Sequence, residues 1–159
     1  MGSGKSKIGR ILSEKLSISL FDIDKEIEKD LNMSITEIFA SKGEIFFRNT
    51  ETDYLIKTKG LRDCIVSTGG GVIEEIKNLE FLKKEANVVF LNCSVESQYE
   101  NTKNSAKRPL LLTNDPKLTL QTLYEKRFDS YKKVSKLELL SDSMSNDEIA
   151  NKIINHFNV

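Results

Sequence analysis

Apolar positions recur along this chain with two different spacings. Short runs rich in β-branched and aromatic residues cover 18–24, 64–68, 88–93 and 136–140, and longer stretches between them repeat apolar residues every three or four positions. Strand-like runs alternating with helix-period segments predict an α/β fold, a parallel sheet flanked by helices. Helix starts are marked: Ser34-x-x-Glu37 and Ser145-x-x-Glu148 read as capping boxes, and Ser94 precedes a further helical run. The two prolines, Pro109 and Pro116, fall in one irregular polar stretch, 103–117, which reads as a surface loop able to move over a site. No linker, low-complexity tract or repeat interrupts the pattern, so 1–159 reads as a single domain.

Composition narrows the function classes. Lys and Arg number 24 and Asp and Glu number 24, for a net charge of +0, which argues against nucleic acid or an anionic membrane as partner. No run approaches eighteen apolar residues, and no charged segment followed by an apolar one opens the chain, so a cytoplasmic protein is expected. Cys64 and Cys93 lie in apolar runs and read as reduced, buried thiols. His156 is the single histidine, which removes Ser-His-Asp chemistry and His-rich zinc sites.

Met1-Gly2-Ser3-Gly4-Lys5-Ser6 leads straight into a helical pattern at Ile8, Ile11, Leu12 and Leu16. That is most of a Walker A loop: glycines let backbone N–H groups converge on phosphate, Lys5 reaches the β and γ phosphates, and Ser6 ligates Mg²⁺. The alternative is a tag remnant or a flexible start. The full signature needs a glycine two positions before Met1, and a strand normally feeds such a loop. That strand is usually central, so its absence should leave neighbours about 10 Å apart with unpaired backbone facing across the gap. The expectation is a natural start roughly ten residues upstream, which an N-terminal peptide mass matching Met1 would refute.

Asp22 and Asp24 close the 18–24 run and, by strand alternation, project to the same side at a carboxyl edge. One could position Mg²⁺ and the other orient or deprotonate a hydroxyl; the alternative for Asp24 is a helix cap. Ser67-Thr68-Gly69-Gly70-Gly71 marks either close ligand approach or a plain strand-to-helix turn. Arg48, in Gly43-Glu44-x-x-Phe47-Arg48, is either solvated, ion-paired or functional. Arg108, in the irregular stretch, could clamp charge developing on a transferred phosphoryl group, and Arg127 follows on a long helix; for both the alternative is a solvated face.

In order and spacing these motifs, GSGKS, Asp-x-Asp, Gly-Glu-x-x-Phe-Arg, Ser-Thr-Gly-Gly-Gly, Arg-Pro-Leu-Leu and a downstream helix arginine, resemble the shikimate kinase family over essentially the whole chain. The resemblance implies a P-loop NTPase of the nucleoside-monophosphate-kinase-like type, with its first, central strand absent from these residues. It implies ATP-dependent phosphorylation of the 3-hydroxyl of shikimate, on the way to chorismate and aromatic amino acids, by a monomer. By position, Gly2, Ser3, Gly4, Lys5, Ser6 and Lys7 would bind the nucleotide with Arg108, and Ser6 and Asp22 would serve Mg²⁺. Asp24, Arg48, Gly70, Gly71 and Arg127 would bind shikimate, with Asp24, Lys5 and Arg108 acting in catalysis. Besides the clipped loop, the chain departs from the family pattern at Asn101, where an adenine-contacting arginine is common, and at Asp129-Ser130-Tyr131, where Pro-Leu-Tyr is usual. Two other readings are a gluconate or nucleoside-monophosphate kinase of the same fold, and a nucleotide-binding module without catalysis.

Overall fold

The computed structural model describes residues 1–85, 87–104 and 108–159. Its strands are β1 (Ser19–Asp22), β2 (Cys64–Ser67), β3 (Val89–Asn92) and β4 (Leu137–Leu140), each inside one of the four expected runs. Helices α1 (Lys5–Leu16), α2 (Ile23–Leu31), α3 (Ile35–Lys57), α4 (Ile76–Lys84), α5 (Val95–Thr102), α6 (Pro116–Val134) and α7 (Asn146–Phe157) separate and flank them. Both capping boxes form, at Ser34 with Glu37 and at Ser145 with Glu148, and Ser94 caps α5.

One boundary differs from expectation in a way that matters. The strand expected over 18–24 stops at Asp22, whose Oδ1 accepts the Lys25 N–H at 3.4 Å and starts α2 at Ile23. Asp22 is therefore the helix cap, and Asp24 sits in the first helical turn, not beside Asp22 on a strand. A short acidic residue with extended backbone satisfies an orphan helix N–H, and that local gain outweighs two more strand residues. The irregular stretch expected over 103–117 ends at Asp115, which caps α6; its residues 105–107 lie outside the described residues.

The strands form two separate parallel pairs. β1 pairs with β2 from Ser19↔Cys64 to Asp22↔Ser67, and β3 pairs with β4 from Val89↔Leu137 to Asn92↔Leu140. Among the described residues no strand joins β2 to β3. Between them lies an apolar cavity of about 450 Å³, to which both strands contribute residues. Cys64, expected to be buried, is half-buried because it lines this cavity, whereas Cys93 is buried; both are free thiols.

Helices cover both faces of the strands. One core gathers Ile23, Ile27, Ile38, Phe47, Leu55 and Val72, and the other gathers Ile8, Leu12, Leu91, Leu139, Ile149 and Ile153. β2 alternates between them, with Ile65 against the second and Val66 against the first, as strand geometry requires. No described helix is long and apolar enough to cross a membrane.

Within α3, Gly43 breaks the helix with φ 82° and ψ 168°, a conformation open essentially to glycine alone. The break redirects the half that carries Arg48. A Cβ at Gly43 would meet nothing within 4 Å, so replacing it tests backbone strain and not crowding. Gly43→Ala is expected to destabilise the fold by about 1–3 kcal/mol in urea unfolding.

Candidate active site

The loop before α1 presents an uncapped helix start. Gly4 takes a left-handed conformation, φ 83°, no side chain caps it, and no acidic residue occupies the first turn of α1. The first N–H groups are thus free to meet an anion and the helix dipole favours one. Lys5 Nζ lies 3.5 Å from Ser3 Oγ. Burial and the neighbouring Arg108 lower the Lys5 pKa, while Asp24 and Asp22 pull the other way, so these four charges converge on one place. Lys7, expected among the binding residues, has an exposed side chain, and only its backbone N–H turns back to Gly4 O at 3.0 Å. Asn101 Nδ2 donates to Gly2 O at 2.8 Å, anchoring the loop from α5.

Ser6 Oγ donates to Asp22 Oδ2 at 3.0 Å, so the two residues expected to serve a metal are in contact. Among the described residues no group of three or more His, Cys, Asp or Glu forms a metal cluster. A hydroxyl and one carboxylate suit a cation that completes its shell with phosphate oxygens and water, the habit of Mg²⁺.

The expected acceptor-side residues come together in a cleft lined by Asp24, Arg48, Gly70, Gly71, Arg108 and Arg127. Arg48 and Arg127 are 8% and 2% exposed, which excludes the solvated-face reading for both. Arg48 is held by Glu51, Nη1 to Oε2 at 2.8 Å, and by Glu44, Nη2 to Oε1 at 3.0 Å. Arg127 is held by Glu74, with Nε donating to Oε1 at 2.9 Å, and Lys126 pairs with the other oxygen of Glu74 at 2.6 Å. Tyr131 donates its hydroxyl to Gly70 O and stacks on Phe90, fixing the glycine turn against α6.

Close approach explains the glycines after β2. A Cβ at Gly71 would stand 2.3 Å from Arg48 Nη1, and one at Gly69 would stand 2.2 Å from Glu51 Oε1 and 3.1 Å from Asp24 Oδ1. The last two oxygens, with Arg108 Nε, are buried without a hydrogen-bond partner, so the cleft holds unspent hydrogen-bonding capacity. Burial, reinforced by the Asp22 charge, raises the Asp24 pKa.

Glu51, Glu74 and Tyr131 were not anticipated. Glu51 had a readable signal, since it lies three positions after Arg48 on the same helix face. Glu74 and Tyr131 reach their partners across the fold, and local spacing carries no trace of that.

A glycine-framed, uncapped helix start beside parallel strands, with basic side chains gathered in the adjoining cleft, marks a P-loop phosphotransferase. A deoxyadenosine kinase from M. mycoides, solved with bound dATP, shares this fold at a TM-score of 0.62 and 16% identity, covering 100% of this chain and 96% of that one. The shikimate kinase family model matches residues 1–158. The shikimate kinase of Marinomonas sp. (strain MWYL1) is 39% identical over 156 residues, 97% of this chain and 86% of that protein. The structure of shikimate kinase from Acinetobacter baumannii in complex with shikimate superimposes with a TM-score of 0.95 at 34% identity, covering 99% of this chain and 88% of that one. The chain belongs to the shikimate kinase family and is an ATP-dependent phosphotransferase acting on shikimate.

Glu51, wholly buried beside Arg48, Asp24 and Arg127, has its pKa pushed by burial from 4.5 to about 7. The fold thus holds this proton more tightly than the unfolded chain does. The stability Glu51 contributes is complete below pH 4.5 and is lost as pH rises through about 7. Glu51→Gln, which cannot ionise, should gain on the parent by roughly 1–3 kcal/mol across that window, read from unfolding midpoints of both proteins at pH 4.5 to 8.

Proposed function

We propose that this chain transfers the γ-phosphoryl of ATP to the 3-hydroxyl of shikimate with the following division of labour. Asp24 holds the acceptor hydroxyl and receives its proton, Lys5 bridges the β and γ phosphates, and Arg108 faces the charge that spreads over the transferred group. Gly2, Ser3, Gly4, Lys5 and Ser6 cradle the phosphates, with Lys7 at the periphery. Arg48 and Arg127 bind the shikimate carboxylate as guanidinium forks, and the Gly70 and Gly71 backbone approaches the ring. Ser6 and Asp22 would hold Mg²⁺, which when bound neutralises charge on the β and γ phosphates.

One observation carries this reading: Asp24, Arg48, Gly70, Gly71, Arg108 and Arg127, drawn from five separate motifs, line a single cleft. A substrate with one carboxylate and several hydroxyls calls for that donor and acceptor set. No covalent enzyme intermediate is needed, because positioning and charge stabilisation suffice for phosphoryl transfer. Two free thiols suit the cytoplasm.

A coupled ADP-release assay with ATP, Mg²⁺ and shikimate should show shikimate-dependent turnover; ATP binding without turnover would favour a non-catalytic module. Asp24→Asn should lower kcat by about 10²–10⁴-fold while leaving the KM for ATP nearly unchanged. Gly71→Ala, whose Cβ collides with the Arg48 guanidinium, should raise the KM for shikimate about tenfold or more with little effect on that for ATP.

A further inference from the structure

The two cleft arginines are held in the same way and balanced differently. On Arg127, Nε at 2.9 Å and Nη2 both donate to Oε1 of Glu74, and on Arg48, Nε at 3.2 Å and Nη2 at 3.0 Å both donate to Oε1 of Glu44. One side of each guanidinium is thus spent on a carboxylate of the chain. Arg48 then meets a second carboxylate, Glu51, whose Oε2 lies 2.8 Å from Nη1, whereas among the described residues Arg127 pairs with Glu74 alone. The Nη1 of Arg127 turns to the glycine turn, 3.8 Å from where a Cβ on Gly70 would stand.

Glu74 is a shared partner. Its Oε2 lies 2.6 Å from Lys126 Nζ. Lys126 does not line the cleft and its side chain is 62% exposed, while those of Glu74 and Arg127 are 19% and 3% exposed. Burial works against an ionised Glu74, yet hydrogen bonds from Lys126 and Arg127 hold its carboxyl below the ordinary value, so an anion stands beside the cleft. That anion is an obstacle as well as a brace. A second carboxylate arriving on the same guanidinium leaves an excess of negative charge, and like charges repel strongly where water is scarce. With Lys126 in place the three side chains carry one net positive charge; without it Arg127 and Glu74 cancel. Arg48, with Glu44 and Glu51, has no such surplus, so of the two arginine clusters only the one at Arg127 attracts an anion by net charge.

We propose that Lys126 acts through Glu74 as a positioning residue that sets the affinity of Arg127 for the carboxylate of shikimate. By occupying the outer oxygen of Glu74 it keeps that carboxylate from neutralising Arg127, and by fixing Glu74 it keeps Nη1 directed at the glycine turn. The inference rests on the assignment of Arg127 to the substrate carboxylate. Because Lys126 is largely exposed, its influence is modest and weakens as salt screens it.

The test is steady-state kinetics with ATP, Mg²⁺ and shikimate. Lys126→Met should raise the KM for shikimate about two- to fivefold, the scale of a largely exposed ion pair, and leave kcat, the KM for ATP and the unfolding midpoint at parent values. Lys126→Arg, which keeps the charge, should restore the parent KM, and Lys126→Glu should raise it beyond Lys126→Met. In a Glu74→Gln background, where the competing charge is gone, Lys126→Met should cost less than it does in the parent. An unchanged KM in Lys126→Met would overturn the proposal, as would an equal cost in both backgrounds, or a loss that falls on kcat and the unfolding midpoint. Arg127→Gln separates the two levels of the reading. If it leaves the KM for shikimate unchanged, the carboxylate assignment fails and the proposal with it; if it raises that KM while Lys126→Met does not, the proposal alone fails.

Discussion

Two buried guanidinium groups set the geometry on which the cleft depends. Removing an arginine from water is costly unless a carboxylate and well-placed hydrogen bonds replace the lost solvent. Arg48 meets that demand with Glu51 and Glu44 of its own helix, and Arg127 meets it with Glu74 from the turn after the glycines. Because Glu74 is tied to α6 and Gly71 lies against Arg48, the α3 face, the glycine turn and α6 are locked together by charge. The arginines are thereby preorganised, which limits the entropy lost when an anionic substrate arrives. Each also keeps its charge in a low-dielectric setting, where it acts more strongly on a carboxylate than it would in water.

The same cleft explains why bulk is excluded on one side. Gly69 and Gly71 are surrounded by the charged ends of Glu51, Asp24 and Arg48, so any side chain there would displace the groups that do the chemistry. On the other side the sheet is divided, and the apolar cores above and below it are held by helix packing more than by backbone ladders. The phosphate loop stands over that division. Its anchoring falls to side chains, Asn101 on the Gly2 carbonyl and Gln98 on the Met1 amine.

Much of this was legible before any coordinates. Strand positions, both capping boxes and the phosphate loop follow from local pattern, because hydrophobic period and capping chemistry act over a few residues. The Asp22–Asp24 pair was misread because strand alternation and helix capping compete for the same residues, and the cap formed by Asp22 decides the contest. The charges that hold Arg127, and the Tyr131 contact that holds Gly70, bridge more than fifty residues of sequence, and no local spacing announces them.

Asp22 shows how one carboxylate serves two clients without conflict. Oδ1 faces the Lys25 amide and keeps α2 started, whereas Oδ2 faces the Ser6 hydroxyl. A cation arriving at the loop competes for the second oxygen alone, and the hydroxyl can rotate to offer its lone pairs in place of its proton. The helix that carries Asp24 then keeps its first turn throughout, so exchange of ions at the loop is mechanically insulated from the position of the acceptor-side carboxylate.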